Sequence, residues 1–290
     1  MKKKISVFDI VNCVFFILIV IACIYPFYYV IIYSVSNPEM ASQAVLLPKG
    51  FTLQTYKTIF SLNNILGAFG ISAARTVLGT GVTVICTTFL AYLMTKQEMF
   101  GKKYVYRFFM ITMYLNAGLI PWYLTMRAYG LKDNFLLYIV PSAISAYYMI
   151  LIKTYMESLP ISMEESARID GAGYFRVFCS IIFPLCKPIV ATIAIYAAVA
   201  QWNNWTDNYF LVNEENLQTL QMILYNYINQ AQNVANVSAQ TLSDAATAIK
   251  VTPMAIKMCI TVIATVPIMC VYPFLQKHFV KGIMMGAVKG

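Results

Sequence analysis

Few residues in this sequence have the types and spacing that covalent chemistry needs. Its single histidine, His278, stands beside Lys277 near the end of the chain, where a solvated tail residue is the simplest reading. Glu164-Glu165 followed by Arg168 approaches the Glu-Glu-x-x-x-Arg of intramembrane proteases, but it is one residue short and no apolar stretch carries a histidine to go with it. The seven cysteines lack the paired spacing of a zinc site, and none falls in an outer loop where a disulfide framework would be expected. No glycine-rich phosphate loop ending in Gly-Lys-Ser/Thr occurs. A membrane-embedded enzyme therefore lacks its residues.

Two other groups offer non-covalent chemistry. Trp202, Asn203, Asn204, Trp205 and Asp207 bring together aromatic faces, on which a sugar ring can stack, and neutral groups able to replace its water shell. An interfacial aromatic belt explains the two tryptophans equally well. Asn116 sits within an apolar stretch, where a polar side chain faces either a partner helix or a cavity. The segment from Ser158-Leu159-Pro160 through Met163-Glu164-Glu165-Ser166-Ala167-Arg168-Ile169-Asp170-Gly171-Ala172-Gly173 to Phe183-Pro184 is the densest run of charged, small and turn-forming residues. Pro160 ends the preceding helix, Ser162 is placed to cap a new one, and Glu164 and Glu165 in the first turn suit the helix dipole. Gly171 and Gly173 allow a bend before a second short helix.

The elements that position these residues belong to a membrane. Of 290 residues, 60% are hydrophobic and 11% charged, against roughly a quarter charged in a soluble domain. Six stretches approach the length of about 20 apolar residues that a bilayer requires: Ile10 to Ser34, Gly67 to Thr95, Tyr104 to Met126, Phe135 to Met156, Phe183 to Tyr209 and Met254 to Leu275. The fold class expected is an all-α polytopic membrane protein of six spans. The opening Met-Lys-Lys-Lys precedes an apolar run too long for a signal peptide, so it reads as an uncleaved span. Fourteen Lys and Arg residues fall on the side holding the N-terminus and six on the other, with Arg75 inside the second stretch, which places both termini in the cytoplasm. The net charge of +9 is thus a topology signal, and nucleic acid is not an expected partner. All 12 acidic residues are expected in loops or near span ends, unlike the midplane carboxylates of ion-driven carriers. An outer connection covers residues 35–66. A longer one, 211–252, carries Leu217, Leu220, Ile223, Leu224, Tyr227 and Ile228 at helical spacing.

Counted from Glu165, Gly171, Ile181 and Pro184 fall at the spacing of the EAA loop of binding-protein-dependent ABC importer permeases, which the segment resembles. Ser166 stands where that pattern has its first Ala, and Phe183 where it has Leu. Gly118-Leu119-Ile120-Pro121, Gly130-Leu131 and the tail from Phe279 to Gly290 are similar to sugar permeases of the maltose-system type. Trp202-Asn203-Asn204-Trp205 followed by Leu220-Gln221 looks most like the LplC/YtcP-like branch, associated with complex and uronate-containing oligosaccharides. The resemblance implies a type I importer transmembrane domain over 1–290, with a cytoplasmic coupling loop at 157–182 and a cytoplasmic tail at 276–290. It implies a second, related permease subunit, two copies of an ABC ATPase that carry the ATP and Mg, an extracellular solute-binding lipoprotein, and no cofactor in this chain. It assigns ATPase coupling to Glu164, Glu165, Ser166, Ala167, Asp170, Gly171 and Ala172, with Asp170 and Gly171 also fit to be simple turn residues. It assigns an ATPase contact to Lys281, Gly282, Ile283, Met284 and Gly286.

Overall fold

The computed structural model describes residues 7–62, 65–236, 252 and 254–270, and every regular element among them is helical. The tail from Lys281 to Gly286, assigned above to an ATPase contact, lies outside the described residues. Contacts gather the chain into two units, Met1–Ile65 with Leu224–Pro267, and Leu66–Ile223 with Ile268–Gly290.

In the first unit, α1 (Val7–Ser34) is apolar on all sides, and residues 7–28 are exposed throughout. A helix with no polar face and no protein cover is suited to lipid. At its end the chain folds back. Tyr28 donates its hydroxyl to the Leu46 carbonyl at 2.8 Å, and the Thr52 amide donates to the Val35 carbonyl at 2.9 Å. Tyr56, on α2 (Gln54–Leu62), donates to Ser34 Oγ at 2.8 Å. Cys259 donates its thiol to the Ser34 carbonyl at 3.3 Å, from α13 (Met254–Cys270).

The second unit is built on α3 (Ile65–Thr95), 31 residues without a proline. Then come α4 (Lys102–Tyr114), α5 (Leu119–Ala128), α6 (Ala146–Glu157), α7 (Ser162–Ile169), α8 (Tyr174–Val177), a π-helical turn, α9 (Phe183–Leu185), α10 (Lys187–Asn203), α11 (Thr206–Leu211) and the start of α12 (Leu220–Asn236), whose residues from Leu224 on belong to the first unit. Tyr92 and Met94 of α3, Met149 and Ile152 of α6, Phe178 and Ile182 of the π turn and Ile193 of α10 form its core. Leu220 and Ile223 of α12 are buried, so the amphipathic face expected beyond residue 217 begins against protein.

Among the described residues, only α1 and α3 are single helices long and apolar enough to cross a bilayer, with a third crossing if the pair Tyr174–Leu185 and Lys187–Asn203, bent by 82°, is counted as one. Three of the six expected continuous spans are therefore broken. The third stops at Tyr114 and restarts at Leu119, because Gly118 takes a φ of +84° that a non-glycine residue avoids and Asn116 Oδ1 accepts the Gly118 amide at 2.9 Å. The fourth opens as a 3-10 turn, Phe135–Tyr138, and becomes α-helical only at Ala146, after Pro141. The fifth bends at Cys186, where Pro184 and Pro188 each remove an amide donor.

Candidate functional site

The segment 157–182 folds as the expected helix, turn and helix. α6 ends at Glu157, three residues before Pro160. Ser162 does not cap α7, contrary to expectation: it is the first helical residue, and the N-cap is Ile161, with no side-chain bond. Its carbonyl instead accepts the Ser166 hydroxyl at 2.9 Å. Gly171, at φ +80°, closes α7. The Gly171 amide donates to the Arg168 carbonyl and the Ala172 amide to the Ala167 carbonyl, both at 3.0 Å, which is the double closure of a Schellman cap. Only a residue without Cβ takes that φ freely, which gives the glycine of the motif a backbone reason. Asp170 is the C-cap residue.

The seven residues assigned to coupling divide by direction. Glu165, Ser166, Asp170 and Gly171 are exposed. Ala167 and Ala172 pack against the core of the second unit, and Glu164 turns toward α3, accepting from Lys96 Nζ and, at 3.3 Å, from the Tyr92 hydroxyl. The small face at Ala167 thus serves internal packing. The outward face carries apolar groups that were not singled out from sequence, Ile161, Ile169 and Phe175, with Ile169 87% exposed. Glu98, just beyond α3, accepts from Arg168 at 3.1 Å and from the Tyr174 hydroxyl. Tyr174 first, then Arg168, hold the Glu98 carboxyl below the usual carboxylate range.

A second polar site lies deep in the same unit, and its centre is Arg75, only 1% exposed. Its guanidinium donates to Asp207 Oδ1 at 3.0 Å and Oδ2 at 2.5 Å, to Gln201 Oε1 at 3.0 Å and to the Asn204 carbonyl at 2.9 Å, over the Tyr138 ring at 4.6 Å. Gln201 Nε2 continues the chain of donors to Ser142 Oγ at 2.6 Å. A cavity of about 330 Å³ adjoins this network, lined by Trp122, Tyr138, Ser142, Tyr148, Gln201 and Asn204 among others.

The residues expected to meet substrate are distributed between this cavity and other surroundings. Asn204 and Asp207 border the cavity; Trp202 is buried, edge-on to Phe69, and Trp205 packs its ring on Tyr209. Asn203 is occupied by Gln221 Nε2 at 3.1 Å. Asn116 borders a different concavity, with Thr112 and Trp122. Asp207 lies near the end of the fifth expected stretch, and it is only 6% exposed because it is buried against Arg75. Arg75 had been visible only as a charge within an apolar run, and Gln201, Ser142 and Tyr138 were not anticipated. Among the described residues no group of His, Cys, Asp or Glu is arranged to hold a metal, and all seven cysteines are free.

Comparison with known proteins identifies the setting of both sites. The chain is 37% identical to Protein LplC of Bacillus subtilis, over 98% of this chain and 95% of that protein. It is 32% identical over the full length of both chains to the polygalacturonan/rhamnogalacturonan transport system permease protein YtcP of the same organism. Among solved structures it matches a chain of a bacterial ABC transporter involved in the import of the acidic polysaccharide alginate, with TM-score 0.84 and 28% identity over 96% of this chain and 99% of that one. The all-helical architecture is therefore the ABC importer permease fold. Residues 6–285 match the family described as binding-protein-dependent transport system inner membrane component, and the chain belongs to that family of membrane transport subunits.

Proposed function

We propose that this chain is the permease subunit of an ATP-driven importer of complex oligosaccharides that include uronate sugars. The observation that carries the reading is the full-length likeness to a polygalacturonan/rhamnogalacturonan permease together with that to an alginate importer chain: both polymers contain uronate residues. The substrate arrives from an extracellular solute-binding lipoprotein. It passes between this chain and a distinct, related permease, and two copies of an ABC ATPase supply the work with ATP and Mg, this chain holding no cofactor of its own. Both termini lie in the cytoplasm, as the excess of Lys and Arg on that side implies.

In this reading the exposed face of 157–182 docks on the ATPase. Ile169 and Phe175 supply apolar contact, while Glu165 and Asp170 supply charge toward basic groups of the partner. The tail from Lys281 to Gly286 makes a second contact there. The cavity beside Tyr138 and Gln201 is the stretch of the sugar pathway that this chain lines: Trp122, Tyr138 and Tyr148 offer ring faces, and Ser142, Gln201 and Asn204 offer neutral hydrogen bonds.

Reconstitution of the complex with its binding protein in proteoliposomes tests the assignment. ATP-dependent uptake of labelled oligogalacturonate, exceeding uptake of a neutral maltooligosaccharide of equal length, is expected. Equal uptake of both would remove the uronate part of the proposal, and uptake without binding protein would remove the rest.

A further inference from the structure

Glu164 and Glu165 are neighbours in sequence and face opposite ways. Glu165 is exposed. The Glu164 carboxylate receives the Lys96 ammonium on both oxygens and the Tyr92 hydroxyl on one, while Lys96 Nζ also lies 4.0 Å from the centre of the Tyr92 ring. The Lys96 and Glu164 side chains are 12% and 15% exposed, so the pair is largely desolvated, and removing either partner strands the other charge. The nearby contact of Glu98 with Arg168 is far more open to water, and solvent and salt screen it.

The pair matters because of what it joins. α7 has eight residues and is separated from α6 by the break at Ser158-Leu159-Pro160-Ile161, so no continuous helix ties it to the core. Its other inward groups are small or apolar, Ala167 above all, and such contacts can slide. The ion pair is directional and fixes α7 to the end of α3. α3 in turn is one uninterrupted helix that carries Arg75, about 31 Å up its axis from Lys96 at 1.5 Å per residue, and Arg75 grips α11 through Asp207.

We propose that Lys96 and Glu164 are a positioning pair for energy coupling: they make α7 and the end of α3 move as one body. Displacement of the loop then reaches the polar network beside the cavity. The inference rests on the reading of 157–182 as the ATPase-docking loop.

The test uses the complete reconstituted complex, with the ATPase complement of each preparation measured first. Lys96→Met and Glu164→Gln are each expected to lower sugar uptake at least about fivefold, the scale of a coupling energy between sites, and to raise the ATP consumed per sugar. Lys96→Arg should keep the coupling. The exchanged pair Lys96→Glu with Glu164→Lys should recover uptake to within about twofold. The proposal is overturned if the single variants transport normally. It is equally overturned if both Lys96→Arg and the exchanged pair stay as impaired as the singles, or if the singles shed the ATPase, since the pair would then serve only local packing or folding. Failure of the docking reading is a separate result: Glu165→Lys would leave ATPase content and uptake unchanged.

Discussion

Arg75 and Asp207 lie 132 positions apart in the chain, and no rule of local spacing connects them. The sequence showed Arg75 as a charge in an apolar run and Asp207 as the end of a polar cluster; the bidentate contact between them is a product of tertiary packing. Such a buried pair makes a sharp prediction. Arg75→Met leaves a carboxylate unpaired in the interior and should cost about 3–5 kcal/mol, read as a fall in the thermal midpoint of the detergent-purified complex. Arg75→Met combined with Asp207→Asn should be distinctly milder than Arg75→Met alone; equal damage would mean that charge pairing is not what holds α3 to α11. Gly79 gives a second residue-level test. A Cβ at this position would stand 2.6 Å from Gln201 Nε2, so Gly79→Ala should displace the carboxamide that bridges Arg75 and Ser142, at a cost of about 1–3 kcal/mol. Adding Gln201→Ala should recover part of that loss in the same melting experiment.

At the scale of elements, what sequence revealed well was whatever obeys short-range rules. Pro160, the acidic first turn and Gly171 specify where α7 starts and stops, and α7, its turn and α8 appear where those residues put them. The third and fifth spans break for the opposite reason: a hydropathy sum over 20 residues is insensitive to Gly118, whose positive φ turns the chain, and to Pro184 and Pro188, each of which removes an amide donor. A more exposed contact of the loop, that of Glu98 with Tyr174 and Arg168, has a pH signature. Glu98 is held below the usual carboxylate range by Tyr174 and Arg168, so its contribution is present above the unfolded carboxylate value, near about 4.3, and disappears as pH falls through the lower folded value. A nitroxide on Asp170→Cys, in a background lacking the native cysteines, should show unchanged mobility at every pH above the ordinary carboxylate range, about 4.3, and greater mobility only once pH falls below that range. With Glu98→Gln this pH dependence should disappear. Mobility that tracks neutral pH would point to a different titrating group.

For the molecule as a whole, the charge bias makes a claim about sidedness that labelling can check. Single cysteines replacing Lys103 and Asn213 should react with an impermeant maleimide from opposite faces, Lys103→Cys only in inverted vesicles and Asn213→Cys in right-side-out cells. The reverse pattern would invert the topology and place 157–182 away from ATP. Deleting Ile283 to Gly290 should lower sugar-stimulated ATP hydrolysis while leaving the complex assembled; full-rate hydrolysis and uptake would remove the tail from the docking surface.

The length of α3 has a consequence for the bilayer itself. Thirty-one residues make a rod of about 46 Å, longer than a hydrocarbon core of about 30 Å, and its two anchored charges, Arg75 inside the helix and Lys96 just past its end, are separated by about the thickness of that core. Lipid thickness therefore acts on the same rod that joins α7 to α11. A thicker membrane makes α3 stand more upright and a thinner one tilts it, and either change shifts Lys96 and Arg75 together, without any partner bound. Acyl-chain length should accordingly tune the ratio of ATP hydrolysed to sugar imported, with an optimum at one thickness and looser coupling on both sides of it.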